Sequence, residues 1–493
     1  MFLGVDVGTG SSKGVLVDES GTVIREARRP HQTASPRPGW FEHDAETVWW
    51  DDVVALSREL LDGMASAVTG VCCSGIGPTV LVTDAADRPL RPAILYGIDT
   101  RCAAQAEAMN ERIGLDRLLE RVGNPLSTQS VGPKLRWIAD EVPEVWEQAR
   151  RFYSAPSWLV RQLTGEYVLD RYSASASDPL YDLVLRDYWD EMWQPYERLE
   201  RPRLAASTEV VGQVTAAAAA ATGIPAGTPV LAGTIDAMAE AYSVGCRDVG
   251  DTMVMYGSTL FLIQVVDTIV PSHLLWATEG HATDTYSLAA GMATGGLVTT
   301  WLSQVLGRDY ADLAAQAARI PAGSEGLLLL PYFAGERTPV YDPLARGTWT
   351  GLTLAHTPGH LYRSALEGIA LGVRHNLEAM AASGAQPRRL VAVGGGTAQR
   401  LWTQIVSDAT GLPQDLPSLT VGAAYGDGRM AAEAAGIDTS GWNPVAERLQ
   451  PNAEAGEVYD REFALYTGAY PAMAETMHEL GTVAQSREPS AGA

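Results

Sequence analysis

The chain has 493 residues, 46% of them hydrophobic and 19% charged, with a formal net charge of -23. That length exceeds what one core usually serves, so two domains are expected. The acidic balance excludes broad contact with nucleic acid or an anionic membrane, because neutralising phosphates needs a basic surface.

A phosphorylated ligand would therefore be met by placed backbone amides, a metal or a few cations. Cys72, Cys73, Cys102 and Cys246 show no paired-ligand spacing, and Cys72 and Cys73 sit in an apolar run, which predicts buried reduced thiols. The sequence has no secretory leader pattern and no apolar run of about 18 residues, so a cytoplasmic protein is expected.

In chain order, "FLGVDV", "KGVLVD" and "VIREARR" are β-rich runs separated by short turns, which predicts an antiparallel meander. Helical periodicity starts near "DAETVWWDDVVALSRELL", with Asp44 as the N-cap. Trp49 and Trp50 in that run read as core residues. "VTGVCCSGIGPTVLVTD" returns to strand, turn and strand. The middle, from Asp99 to about Ala226, reads as mostly helical, and "VTAAAAAATGIPAG" as a short helix stopped by Gly223 and Pro225.

"TPVLAGTIDAMAEAYSVGC" then gives a strand, a small turn carrying Asp236, and a helix. A second strand-turn-strand, "DTMVMYGSTLFLIQVVD", echoes the opening and suggests a duplicated architecture. The expected domains are 1–246 and 247–482, with a frayed tail at 483–493.

The opening "GVDVGTGSSKGVLVD" matches parts of three known loops. A dinucleotide loop needs a third glycine and a following helix, but here Lys13 and a strand follow. A triphosphate loop needs Gly-Lys-Ser/Thr, which is absent. Gly10 to Gly14 spell the G-x-S-x-G string of a nucleophile elbow, which also requires a helix next. What remains is a tight hairpin that either serves structure alone or wraps an anion with Gly8, Thr9, Gly10 and Ser11. A carboxylate beside phosphate calls for a cation between them, so Asp6 points to Mg2+.

These segments together resemble a known family. "GVDVGTGSSKGVLVD" is similar to the first phosphate motif of the actin/hexokinase/Hsp70 ATPase superfamily. "MVMYGSTLFLI" resembles its second phosphate motif, and "LVAVGGGTAQRLWTQIVSDATGLP" its adenosine motif. Along almost its whole length the chain resembles the FGGY carbohydrate kinases. "GTWTGLTLAHTPGHLYRSALEG" fits their C-terminal signature, and "SVGPKLRWI" the other signature, with Val131 where Pro, Ser or Thr is usual. "YFAGERTP" and "LRPAILYGIDTR" are further blocks of this kind.

The resemblance implies two ribonuclease-H-like α/β domains, with ATP and a sugar in the cleft between them. It implies that Asp6 anchors Mg2+ and that Gly8, Thr9, Gly10 and Ser11 touch the transferred phosphate. Lys13 is either a further cation or a solvated strand lysine. Gly257, Ser258 and Thr259 would line the other side of the phosphates, and Gly394, Gly395 and Gly396 the nucleotide. Asp236 matches the catalytic aspartate, which accepts the proton of the attacking hydroxyl. From position alone Asp236 would be an N-cap.

The acceptor site is implied at Gly77 and Pro78, at Tyr96, and at Asp99 and Arg101. The last two either bond sugar hydroxyls or form a structural ion pair. Xylulokinases carry Met-His, and glycerol kinases Arg-Glu, where this chain has Gly77-Pro78. A pentulose such as D-xylulose is the expected acceptor, with a pentitol, ribulose, another ketose, gluconate or a glycerol-like polyol as alternatives. Without a peptide-binding module a chaperone role is disfavoured, and the intact aspartates disfavour a non-catalytic ATP-binding protein. The sequence does not read out the oligomeric state; a homodimer is common in similar proteins, and symmetric association is the general prior.

Overall fold

The computed structural model describes residues 1–281 and 284–485. Of the tail expected at 483–493, residues 486–493 lie outside the described residues, and the helix before them runs to Gln485.

β1 (Phe2–Val7), β2 (Ser11–Val17) and β3 (Val23–Pro30) form the antiparallel meander that the polar turns predict. β3 carries Arg25, Arg28 and Arg29 on the sheet edge, where charge blocks further strand pairing. β4 (Gly70–Gly75) lies parallel to β1. β5 (Val210–Gln213), β6 (Pro229–Leu231) and β7 (Thr234–Ile235) complete the sheet in the order β5-β6-β4-β1-β2-β3, with β7 also along β4.

Alternation along β1 splits its side chains between two faces. Leu3, Val5 and Val7 enter one buried cluster with α1 (Asp51–Leu61) and α2 (Ala155–Thr164). Phe2, and by the same alternation Gly4 and Asp6, face the other way. The helical run leading into α1 is capped as expected: Asp44 accepts from the amides of Glu46 and Thr47 at 3.0 and 2.8 Å. Trp49 is fully buried in the first cluster and Trp50 packs against it.

α3 (Asp236–Ser243) starts directly after β7 and carries the chain to the second sheet. That sheet holds β8 (Asp251–Tyr256), β9 (Leu260–Val266), β10 (Trp276–Glu279), β11 (Tyr286–Met292), β12 (Arg389–Val393), β13 (Gln414–Pro417) and β14 (Val445–Leu449), ordered β10-β11-β9-β8-β12-β13-β14. β8, β9 and β11 are an antiparallel meander, and β12 and β13 run parallel beside β8. The path β11-β9-β8-β12-β13 therefore repeats β3-β2-β1-β4-β6, which makes the echo seen in the sequence a repeat of topology. α4 (Pro358–Ala382), begun by the Thr357/His360 capping box, and α5 (Arg400–Thr410) cover this sheet.

α6 (Ala423–Ala434) follows β13 in sequence yet packs on β1, β2, β4 and α3. Two glycines make this possible. A Cβ on Gly4 would stand 2.0 Å from the Ala424 carbonyl, and one on Gly426 would stand 1.9 Å from the Ala239 carbonyl. Backbone thus meets backbone, and α3 and α6 cross as a pair between the two sheets. Asp6 lies on the sheet face that this pair covers.

Candidate active site

The turn between β1 and β2 is held from behind. The Gly8 amide donates to the Ser11 carbonyl at 3.1 Å, which closes the turn. Its three carbonyls all have partners: Gly8 meets His31 Nε2 at 3.0 Å, Thr9 accepts from the Thr33 hydroxyl at 2.7 Å, and Gly10 accepts from the His31 amide at 3.1 Å. His31 Nδ1 lies 2.8 Å from Asp52, which also accepts from Ser12 Oγ at 2.7 Å and Arg29 Nε at 3.0 Å. Both ring nitrogens of His31 face groups that can only accept, so the ring is an imidazolium. Burial alone would lower its pKa, but the bond and charge of Asp52 and the Gly8 and Thr9 carbonyls raise it. His43, 5.1 Å away, is driven down to about 4 by burial and by the His31 charge, so it stays neutral.

Lys13 donates to the Val421 carbonyl at 2.8 Å and pairs with Glu26 at 3.1 Å. Its ammonium is thereby tied to the start of α6, a role that neither sequence reading anticipated.

Asp6 sits at the base of the turn. Burial pushes its pKa up to about 6, against the Ser74 hydrogen bond and the charges of Lys13 and His31. Ser74 Oγ lies 3.0 Å from Asp6 and 2.7 Å from Asp427 of α6, and the Ser74 amide donates to Asp427 at 3.0 Å. A hydroxyl has one proton to give, so one of the two carboxyls must carry its own. Burial, reinforced by the Asp6 charge, holds Asp427 well above the carboxylate range and assigns the proton to it. Asp6 is left as the charged member.

Asp236 opens α3 and accepts from the Ala237 amide at 2.7 Å. The N-cap reading does not hold: Ile235 is the cap position and Asp236 is the first helical residue, bonded to the next amide. Burial and the charge of Asp6 push its pKa well up. Glu240, one turn later, is pushed up to about 7 by burial and the same charge, and it accepts from the first amide of α6, Ala423, at 3.0 Å. Asp236 and Glu240 thus both feel the Asp6 charge, and burial holds each of the three toward its neutral form. Among the described residues, no three His, Cys, Asp or Glu side chains converge to hold a metal without help.

On the second sheet the turn after β8 has a different construction. Ser258 and Gly257 carbonyls accept from the amides of Gly295 and Gly296, each at 2.9 Å. Gly394, at φ 93°, and Gly396 follow β12 and press on Tyr256, which leaves no room for a side chain. Gly257, Ser258, Gly395 and Gly396 line one cavity of about 660 Å³ with Thr299, Tyr362, Gln399 and Trp402. The two glycine-rich turns, distant in sequence, therefore share one site. Gly394 and Thr259 flank its turns without lining it.

Gly77 and Pro78 line a second, smaller cavity between the sheets, of about 60 Å³, with Ile235 and Ala237 on either side of Asp236 in sequence. Tyr96 reaches the phosphate turn: its hydroxyl lies 3.3 Å from that of Thr9, and the charges of Asp236 and Arg337 act on it. Asp99 and Arg101 take the other of their two readings. Asp99 is fully buried and accepts from Arg101 at 2.6–3.0 Å and from the Phe41 amide at 2.7 Å. Arg101 also pairs with Glu42 at 2.6 Å and lies over the Trp40 ring at 4.1 Å. Both charges are saturated by protein, so they form a structural ion pair rather than a sugar contact.

Several site residues went unnoticed in the sequence. Glu240 had a signal, since it follows Asp236 by one helical turn. Arg337 lies in the "AGERTP" block; it is half-buried, donates to the Met292 carbonyl at 2.7 Å, and keeps its Nε without a partner. His31, Ser74 and Asp427 are lone residues whose meeting depends on tertiary packing.

The paired meander-plus-parallel sheets with a nucleotide-sized cavity on one of them define a two-domain ATPase architecture of the actin-like kind. Residues 1–243 match the N-terminal domain of the FGGY family of carbohydrate kinases, and residues 252–435 match its C-terminal domain. The chain is 30% identical over 453 residues to the xylulose kinase of Escherichia coli, covering 89% of this chain and 91% of that one. It is 32% identical over 464 residues to the glycerol kinase of Nocardia farcinica, covering 89% and 90%. The crystal structure of xylulose kinase from Rhodospirillum rubrum superposes with a TM-score of 0.89 at 32% identity, over 97% of this chain and 99% of that one. The chain therefore belongs to the FGGY family of carbohydrate kinases. As a member it is an ATP-dependent phosphotransferase with an alcohol group as acceptor. No helix among the described residues is long and apolar enough to cross a membrane.

Proposed function

We propose that this enzyme transfers the γ-phosphate of Mg-ATP to a hydroxyl of a pentulose such as D-xylulose, with Asp236 as the proton acceptor. The observation that carries the reading is the position of Asp236. Its carboxylate is pinned at a helix start, beside Asp6, next to the cavity that the two sheets share. Phosphoryl transfer asks a protein mainly for positioning and charge stabilisation. A carboxylate fixed beside the attacking hydroxyl can accept its proton as the oxygen attacks phosphorus.

The turn of Gly8, Thr9, Gly10 and Ser11 would meet the transferred phosphate. Its carbonyls are tied back, which frees its amide edge for an anion. Gly257, Ser258 and Thr259, with Gly394, Gly395 and Gly396, would hold the rest of the nucleotide. Mg2+, when bound, supplies charge neutralisation on the phosphate oxygens. Asp6 fits as its protein anchor, since it is the charged member beside Ser74 and Asp427 and Mg2+ takes only one or two carboxylates besides phosphate and water. Tyr96 and Arg337 would close the cleft over the reacting groups from opposite domains.

The acceptor is read as a ketose from the overall similarity to xylulose kinases, since Gly77-Pro78 matches neither the Met-His nor the Arg-Glu pair. The four free, buried cysteines support a reducing compartment, so we place the enzyme in the cytoplasm, as a homodimer. A coupled ADP-release screen over ketoses, polyols and sugar acids tests the reading. D-xylulose or another pentulose should give the highest kcat/KM, and a best acceptor from another class would displace it.

A further inference from the structure

The small cavity beside Asp236 has a mixed lining. Pro78, Ile235 and Ala237 from the first domain and Phe261, Trp276 and Ala289 from the second form apolar walls, and Gln129, Tyr172 and Thr278 add polar groups. Phe261 and Trp276 stack with ring centroids 6.1 Å apart and planes at 19°, giving a flat aromatic wall. At the other end stand Asn124 and Asp178. Asp178 is 7% exposed, and its Oδ1 has no hydrogen-bond partner. Its Oδ2 accepts from Asn124 Nδ2 at 2.9 Å. Asn124 Oδ1 in turn accepts from the Ala277 amide of β10, at 3.2 Å, across the domain seam.

This end is built rather than incidental. Asn124 fixes the Asp178 carboxyl from one side and the second domain fixes Asn124. A buried polar atom without a protein partner calls for one, and at Oδ1 the adjoining cavity is where a water or a ligand hydroxyl would supply it. The nearest cation, Lys134, is committed elsewhere: its Nζ donates to the Gln129 carbonyl at 2.8 Å and the Ser130 carbonyl at 3.4 Å. Among the described residues no Lys, Arg or His lines the cavity. Burial pushes Asp178 up to about 7, against the Asn124 hydrogen bond and the Lys134 charge, so the group can accept from or donate to a hydroxyl near neutral pH.

We propose that Asp178, oriented by Asn124, is the specificity subsite for a hydroxyl of the acceptor remote from the phosphorylated one, and that it restricts the acceptor to neutral sugars. This rests on the reading of the cleft as the site of phosphoryl transfer. A hydroxyl supplies the missing partner of Oδ1, while the ring or chain carbons of the sugar lie against Phe261 and Trp276. A sugar acid would bring a carboxylate beside Asp178 with no cation to offset it. The link from Asn124 to Ala277 also makes the subsite complete only with both domains in place.

The test is steady-state kinetics with Mg-ATP on the full-length enzyme, using a neutral ketose, its deoxy analogue lacking the remote hydroxyl, and the matching sugar acid. Asp178→Asn and Asp178→Ala should each raise the acceptor KM by about tenfold or more while leaving the ATP KM within about twofold. Mg-ADP binding, measured on the same preparations, establishes that the variants are folded. The wild type should lose about the same factor on the deoxy analogue, and Asp178→Ala should no longer distinguish the two acceptors. An unchanged acceptor KM in both variants, or a sugar acid as the best wild-type acceptor, would overturn the subsite while the kinase reading stands. A wild type that transfers phosphate to none of the acceptors would overturn both.

Discussion

The turns after β1 and β8 occupy equivalent places in two sheets of the same topology, yet they are supported in opposite ways. Behind Gly8 to Gly10 lies a charged network of His31, Asp52, Ser12 and Arg29, with Asp6 at its base. Behind Gly257 to Thr259 lies backbone, from Gly295 and Gly296. The duplicated scaffold thus supplies one turn that can balance changing charge and one that gives a fixed, close-fitting wall. On the proposed reading, transfer chemistry falls to the first and nucleotide shape to the second.

Breaking the charged turn should therefore damage rate, and the largest effect is expected at Asp6. Asp6→Asn keeps the shape and removes the charge, so turnover should fall by about 100-fold or more and the Mg2+ concentration for half-maximal rate should rise. Titrating Mg2+ in the ADP-release assay checks this. An unchanged Mg2+ dependence would assign the metal to other groups.

The Asp99–Arg101 pair separates scaffold from site. Asp99→Ala leaves a buried guanidinium without its main partner and should cost about 3 kcal/mol of stability, seen as a lower urea midpoint. If the pair is structural, the acceptor KM of the folded variant stays near that of the wild type. A large rise in KM without loss of stability would return Asp99 to the sugar site.

The smallest expected effect is at His31. Its raised pKa in the folded state means that the imidazolium stabilises the turn fully below its unfolded value, about 6.5, and that this contribution is lost as pH rises through the folded value. Asp52, Arg29, His43 and Asp6 are the charged or titratable groups around it. ATP affinity should weaken on raising the pH through that range, by a few-fold. His31→Gln should flatten the dependence, because glutamine has no proton to lose in this range. A pH profile identical in variant and wild type would show that the charge is not used.

The architecture was legible because both meanders have short, glycine-marked turns and because the same pattern occurs twice. Asp44, Trp49 and Gly223 also behaved as local rules predict, the last at φ 79° as a left-handed helix cap. The sequence could not show that α6, beyond the second sheet's β13, folds back onto the first sheet. That single packing event brings Asp427 to Ser74 and Glu240 to the start of α6, so the environment of Asp6 is a tertiary product. For the same reason the Asp99–Arg101 spacing fitted both an ion pair and a sugar contact. Only burial, and Glu42 and Trp40 arriving from another segment, decide between them.

The central claim is that Asp236 takes the acceptor's proton while the nucleotide rests on the other domain. The most direct measurement pairs turnover with ATP binding on one preparation of Asp236→Ala. ATP should bind within about twofold of wild type, and phosphoryl transfer to the sugar should fall by about 100- to 10,000-fold. Transfer at near-normal rate in that variant would contradict the account.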